Sequence, residues 1–272
     1  MHHIKRHTSE LMLLLVALGL LGLVVSKYYY EHKSRLLLGG DAMMAVESFD
    51  AKDSEEIFSM IGVTQKTTYR TTEISARAKE TEERSESKPT PILLKSIDMN
   101  YPIYGKLKLR NKVRPDPFAI YGADNDRGAA VSESVLVALG INPGDLFLIG
   151  NTTFIVTSVI DHEPDLLPQH QEIPRVIISD RSFDSLIKAG TYFEKPITLR
   201  KNLIFHPALP IENWKATFAA MNASSGWEVE IWKDHMPASL LNLNTKLLLI
   251  ISGMVLLLAI IRYEMRKRRA DA

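Results

Sequence analysis

The stretch SESVLVALGINPGDLFLIGNTTFIVTSVID, Ser132 to Asp161, decides the fold. It opens with an amphipathic segment in which Val135, Leu136 and Leu139 share one helical face. Ser132 is placed to cap that helix, because a serine hydroxyl accepts from a free backbone N–H at a helix start. Gly140 suits the left-handed residue that ends it. Pro143-Gly144 is a turn signal: proline presets φ and glycine accepts a positive one. Two apolar runs follow, Leu146 to Ile149 and Phe154 to Ile160, with Gly150-Asn151 between them as a tight hairpin. In the second run Phe154, Val156, Ser158 and Ile160 alternate with Ile155, Thr157 and Val159. The stretch therefore encodes helix, turn and β-hairpin in succession.

Outward from it, both types of element recur. Ala42 to Phe49, Lys66 to Lys79, Pro91 to Asp98 and Arg175 to Ser179 read as strands. Tyr192 to Phe205 gives one or two more, and Trp227, Val229 and Ile231 mark a last one. Ser54 to Met60 reads as a short helix. Asp180 is placed to cap a helix over Arg181 to Lys188, with Phe183, Leu186 and Ile187 inward and Gly190 as its stop. Pro210 to Met221 is a further helix, with proline in its first turn and Trp214, Phe218 and Met221 aligned. Lys79 to Thr90 lacks large apolar residues and reads as a solvated loop. Asn111 to Arg127 and Asp161 to Glu172 read as loops too. Intermixed helices and hairpins give an α+β domain, a core with an inserted subdomain near residues 92–175.

The two ends are different. Leu11 to Val25 and Leu247 to Ile261 carry no charge. Each is slightly short of the roughly twenty residues that cross a bilayer. Tyr28, Tyr29 and Tyr30 at the interface, snorkelling Lys27 and Lys246, and Leu240, Leu241 and Leu243 make up the difference. Lys5 and Arg6 precede the first run, and Arg262, Arg266, Lys267, Arg268 and Arg269 follow the second, which puts both termini in the cytoplasm. The expected order is a cytoplasmic N-terminus over 1–10, a transmembrane helix over 11–30, an extracytoplasmic domain over 31–239, a second transmembrane helix over 240–262 and a basic tail over 263–272. A signal peptide ending near Val24-Val25-Ser26 is the rival reading of the first run; the reading adopted is an uncleaved anchor.

Composition narrows the function. The formal net charge is +1, which gives no basic footprint for nucleic acid. With 0 cysteines, disulfides, zinc–thiolate sites, iron–sulfur clusters and a cysteine nucleophile are excluded. There is no P-loop sequence to cradle ATP phosphates. Asp161-His162-Glu163-Pro164-Asp165 concentrates ionisable groups, but neighbours along a chain point apart, so it reads as a solvated loop. His170, His206 and His235 lack metalloprotease spacing, and His2, His3 and His7 read as a basic flank. Ser132, Ser134 and Ser182 lie outside any nucleophile elbow. No enzyme, metal or cofactor site is expected. Gly19, Gly22, Ser252 and Gly253 permit close helix packing in the spans.

Several segments, taken together, resemble one family. Leu38-Gly39-Gly40-Asp41, Tyr101-Pro102-Ile103-Tyr104-Gly105-Lys106-Leu107, the central Leu139 to Ile160 stretch, Glu163-Pro164-Asp165 and Pro174-Arg175-Val176 occur in order. The pattern is similar to the MacB-like periplasmic core domain of the MacB/FtsX-like ABC transporter permeases, closest to the YbbP-type branch. The resemblance covers about Leu38 to Asp234 with both flanking spans. It implies a permease-type subunit in the bacterial inner membrane, with residues of about 28–243 periplasmic. A separate ABC ATPase would drive helix motion, and the ectodomain would couple it to export or extraction of hydrophobic or lipid-like cargo. The family continues past the second span, so this chain is expected to pair with the remaining permease spans or with a second copy. The alternative is a membrane-anchored periplasmic binding, sensor or scaffold protein without transport.

Overall fold

The structure is a computed structural model that describes residues 8–48, 62–80, 88–110, 120, 127–166, 172–221 and 226–270. The chain divides into two compact units. Met1–Ser34 and Lys233–Ala272 form one, and Arg35–Trp232 the other. The expected helix at Ser54 to Met60 and most of the Lys79 to Thr90 and Asn111 to Arg127 loops lie outside the described residues.

In chain order, helix α1 spans Thr8–Leu38 without a break. Strands β1 (Ala42–Ser48), β2 (Val63–Ala78), β3 (Thr90–Ile97), β4 (Lys108–Arg110) and β5 (Gly128–Val131) follow. Helix α2 (Glu133–Leu139) leads into the hairpin β6 (Leu146–Ile149) and β7 (Thr152–His162). Then come β8 (Arg175–Ser179), α3 (Asp180–Lys188), β9 (Ile197–Phe205), α4 (Ile211–Met221) and β10 (Glu228–Ile231). A 3-10 turn over Trp232–His235, short helix α5 (Ala238–Leu241) and α6 (Thr245–Ala270) complete the chain.

Among the described residues all the strands join one mixed sheet, in the order β10-β1-β9-β2-β3-β8-β5-β7-β4. β6 lies off this path and pairs with both β7 and β2. Its second pairing closes a ring: β2, β3, β8, β5, β7, β6 and back to β2. The length of β2 makes this possible. Its first half pairs with β9 through Thr71↔Thr198, and its last residues, Ala76 to Ala78, pair with β6. Closure removes exposed strand edges from the ring. Its interior holds Ile92, Leu94, Val131, Phe147, Ile149, Phe154, Val156, Val176 and Ile178, with Val135 and Leu139 of α2 and Phe183 and Leu186 of α3 packed alongside. Each such side chain stabilises the fold by about 1.5–3 kcal/mol when fully buried. The 92–175 stretch expected as an insertion supplies the β3-to-β4 end of this sheet, while β10, β1 and β9 extend it from the first half of β2.

Several local expectations shift. Gly140 is left-handed at φ 63°, as expected of the residue ending α2. Ser132 precedes α2 but makes no cap; its Oγ accepts instead from the backbone N–H of Arg175, 2.9 Å away, and so ties α2 to β8. Ser179 rather than Asp180 caps α3, accepting from Ser182 N at 3.2 Å. Ile187, expected inward, is exposed, and so is Met221, which aligns in sequence with the buried Trp214 and Phe218. β7 is buried along both faces beyond Ile155, because strands flank it and a register shift opposite Ala129/Ala130 breaks the alternation.

Within the other unit, α1 and α6 are long and apolar enough to cross a membrane, over Leu11–Leu38 and Thr245–Arg268. α6 starts later than the apolar pattern suggested. Asn244 ends the approach: its Oδ1 accepts from Leu247 N at 3.1 Å, a helix cap. Ser252 Oγ donates to Ala17 O at 3.2 Å, and both residues are buried. Lys27 Nζ donates to Leu243 O at 2.7 Å and Leu241 O at 3.3 Å. Ala17 and Ser252 therefore mark the helix contact. Gly19, Gly22 and Gly253 have open space where a Cβ would stand.

Candidate functional site

β3 reads TPILLKSI, and both its faces are covered from Leu94 onward. Lysine 95 therefore points into the protein. A buried ammonium ion is tolerated only with opposite charge and hydrogen bonds around it. The chain supplies them from segments far apart in sequence. Lys95 Nζ donates to Glu163 Oε1 at 2.8 Å, to Asp165 Oδ1 at 2.8 Å and Oδ2 at 3.0 Å, and to Tyr101 Oη at 2.8 Å. Tyr101 in turn donates to Asp165 Oδ1. The ammonium also sits 4.4 Å from the ring centroids of both Tyr69 and Tyr101. Arg175 Nε pairs with Glu163 Oε2 at 3.5 Å. Two cations thus face two carboxylates, and the cluster is neutral.

Electrostatics fix the protonation states. Burial works to lower the Lys95 pKa, but the Asp165 and then the Glu163 carboxylates outweigh it and raise it above the ordinary lysine range. Burial likewise works to raise Asp165; the charge of Lys95 and hydrogen bonds from Lys95 and Tyr101 hold it below its ordinary value. Burial and the neighbouring Asp165 charge push the Tyr101 phenol up, so it stays a donor. Lys95 is a fixed cation and Asp165 a fixed anion.

The cluster reaches the end of α1. Gly39, at φ 74°, closes the helix, and a Cβ there would lie 2.2 Å from Asn202 Nδ2 and 3.6 Å from Asp165 Cβ. A Cβ on Gly105, at φ 84°, would lie 2.5 Å from Pro164 Cβ and 3.1 Å from Leu36 Cδ1. The Tyr101–Gly105 turn, which begins with a cis Tyr101–Pro102 bond, therefore packs against both the Glu163–Asp165 turn and the last turn of α1. Two residues beyond Gly39, Asp41 fastens the exit to β9: its N–H donates to Leu203 O, and its Oδ2 accepts from Phe205 N, each at 2.8 Å. Its other oxygen, Oδ1, meets Arg35 Nε at 3.3 Å, and the Arg35 guanidinium lies 4.9 Å from the Trp232 ring.

The opposite face of β3 carries a second polar cluster. Ser96 Oγ donates to Asp180 Oδ1 at 2.6 Å, and Arg70 bonds Asp180 Oδ1 at 3.1 Å and Asp184 Oδ1 at 2.8 Å. This one holds α3 on the sheet.

The expectation of a solvated Asp161–Asp165 loop is corrected here. Asp161 and His162 are exposed, but Glu163 and Asp165 are 8% and 7% exposed. The carboxylates are drawn in because Lys95 must be neutralised. Lys95 itself was missed in the sequence, although a lone lysine inside an otherwise apolar strand was its signal. Among the described residues no three His, Asp or Glu side chains are placed to share a metal ion. His206 and His235 are exposed, while His2, His3, His7 and His170 lie outside the described residues. Ser132 and Ser134 pair with each other at 2.8 Å, and Ser182 takes part in the α3 cap.

No family model matches the chain, and no curated protein does. Solved structures do. The chain is similar to the periplasmic region of MacB from Actinobacillus actinomycetemcomitans, at 10% identity and a TM-score of 0.46 over 72% of this chain and 91% of that one. It is similar to the extracellular domain of the noncanonic ABC-type transporter YknZ from Gram-positive bacteria, at 15% identity and a TM-score of 0.44 over 70% of this chain and 99% of that one. A domain described as that of a permease protein from Porphyromonas gingivalis matches at 9% identity and a TM-score of 0.43, over 70% and 89% of the two chains.

Proposed function

We propose that this chain is a permease-type membrane component of an ABC transporter of the MacB/FtsX-like class, in which the Lys95 cluster couples the first helix to the extracytoplasmic domain. One observation carries this reading. The short segments that resemble the family are scattered from Leu38 to Val176, yet Gly39, the Tyr101–Gly105 turn, Glu163-Pro164-Asp165 and Arg175 form one contiguous set of contacts around Lys95. A neutral, hydrogen-bonded and tightly packed joint transmits displacement rather than absorbing it, because packed cores deform little. On this reading a separate ATPase moves the helices, both termini are cytoplasmic, the domain lies outside the cytoplasmic membrane, and the cargo is hydrophobic or lipid-like.

The test is a detergent pull-down of the tagged full-length chain with mass spectrometry of what accompanies it. Recovery of an ABC ATPase together with further permease spans is the expected result. Recovery of the folded, membrane-bound chain with neither would contradict the proposal and favour an anchored binding module.

A further inference from the structure

A pocket of about 340 Å³ opens on the side of β2 where its pairing is interrupted. On this edge the β9 ladder stops at Thr71↔Thr198, and the β6 ladder begins at Ala76↔Ile149. Thr68 O accepts from Asp98 N on the β3 side, whereas Lys79 N donates to Leu146 O on the β6 side. A residue of an antiparallel strand turns its N–H and C=O to one edge, and the edges alternate along the chain. Glu73 and Ser75 therefore turn their main-chain groups to the gap.

The pocket wall comes from the β6–β7 turn and the segment after α3. Ser75, Gly150, Asn151, Thr191, Tyr192 and Glu194 contribute most of it. Gly150, at φ 56°, keeps it open, since a Cβ there would stand 3.0 Å from Thr191 Cγ2. Thr191 Oγ1 is sealed against Gly150, 3.1 Å from where a Cβ would stand, so Thr191 contributes its other atoms to the wall. Tyr192 stands at the rim with 81% of its surface exposed.

We infer that this pocket is a binding site for a neutral saccharide of one or two rings. Its lining residues include Ser75, Asn151, Tyr192 and Glu194, whose hydroxyls, amide and carboxylate suit the dense donors and acceptors of a polyol. An exposed aromatic face stacks on the C–H face of a pyranose while its own hydroxyl stays wet. Glu194 is the one carboxylate of the wall and no cation offsets it there, so an anionic ligand is disfavoured. An added peptide strand does not fit. The gap between the two ladders is roughly 15 Å at strand rise, and β9 and β6 block its two ends. The site is independent of the transport reading.

The experiment is saturation-transfer NMR on the full chain in nanodiscs with glucose, galactose, N-acetylglucosamine and the β-1,4 dimer of the last. At least one of these is expected to bind with Kd of about 10 mM or tighter. Tyr192→Ala and Asn151→Ala should each weaken it about tenfold, and the exposed Val137→Ala should not. Tyr192→Ala and Asn151→Ala, both at exposed residues, should leave the melting temperature unchanged, which separates a lost ligand contact from a lost fold. Absence of binding by all four saccharides, binding indifferent to these substitutions, or selective capture of a short peptide instead would each overturn the assignment.

Discussion

Lys95 shows how one misplaced charge organises its surroundings. Its strand lies in a core where an unpaired ammonium would cost several kcal/mol, so the fold brings Glu163, Asp165 and Tyr101 to it. The pair adds little net stability over an apolar replacement of the whole cluster, but breaking it is costly. Lys95→Met should destabilise the full chain by about 3–5 kcal/mol, read from the denaturation midpoint in detergent, because two carboxylates stay buried. Adding Glu163→Gln and Asp165→Asn should recover part of that loss. The pH dependence follows from the directions of the shifts. Asp165, held below its usual value, contributes stability that is present above about pH 3.9 and is lost as pH falls through its lowered folded value. Lys95, raised, contributes stability fully present below about pH 10.4 and lost as pH rises through its folded value. Between these limits neither Lys95 nor Asp165 adds a slope. In Lys95→Met, Asp165 loses its cation while its burial remains, so its carboxyl should shift upward and that variant should melt higher at about pH 5 than at pH 7, the opposite of an ordinary acid limb.

At the scale of elements, two glycines separate strain from collision. Gly140 ends α2 at φ 63° with open space around a Cβ, so Gly140→Ala should cost only the left-handed penalty of about 1–2 kcal/mol. Gly105 combines φ 84° with a Cβ position 2.5 Å from Pro164. Gly105→Ala should therefore cost more than Gly140→Ala, about 3 kcal/mol or above, and thermal melts of the two variants give the order. The elements themselves were largely legible. The helix–turn–hairpin of Ser132 to Asp161 was, because period and turn chemistry agree there. Caps were less so: Ser132 and Asp180 both suit a helix start, but a tertiary partner claims the first and Ser179 stands one residue ahead of the second. Glu163 and Asp165 read as solvent-facing because nothing local reveals a lysine sixty-odd residues earlier. The reverse question, what neutralises Lys95, would have pointed to them.

For the whole molecule, ring closure by β6 is the feature that no periodicity encodes, since pairing between Ala76–Ala78 and Phe147–Ile149 spans a long sequence separation. It is testable in a chain with 0 cysteines. Arg77 and Leu148 are directly opposed, at a separation that a disulfide tolerates. Arg77→Cys with Leu148→Cys should oxidise to an internal bridge in the folded chain, seen as a mobility shift reversed by reductant. A control pairing Arg77→Cys with Val137→Cys should not. The same long-range logic places the Lys95 cluster against the last turn of α1, within the Arg35–Trp232 unit.

In the proposed coupling, the end of α1, the Tyr101–Gly105 turn and the Glu163–Asp165 turn act as one mechanical joint held by Lys95. Hydrogen exchange of the full-length chain in nanodiscs, wild type against Lys95→Met, tests it directly. The account predicts that exchange at residues 39–41, 103–107 and 161–166 rises together and by similar factors, while β6 and β7 residues 147–156 stay protected. A rise confined to β3, with the end of α1 unchanged, would contradict it.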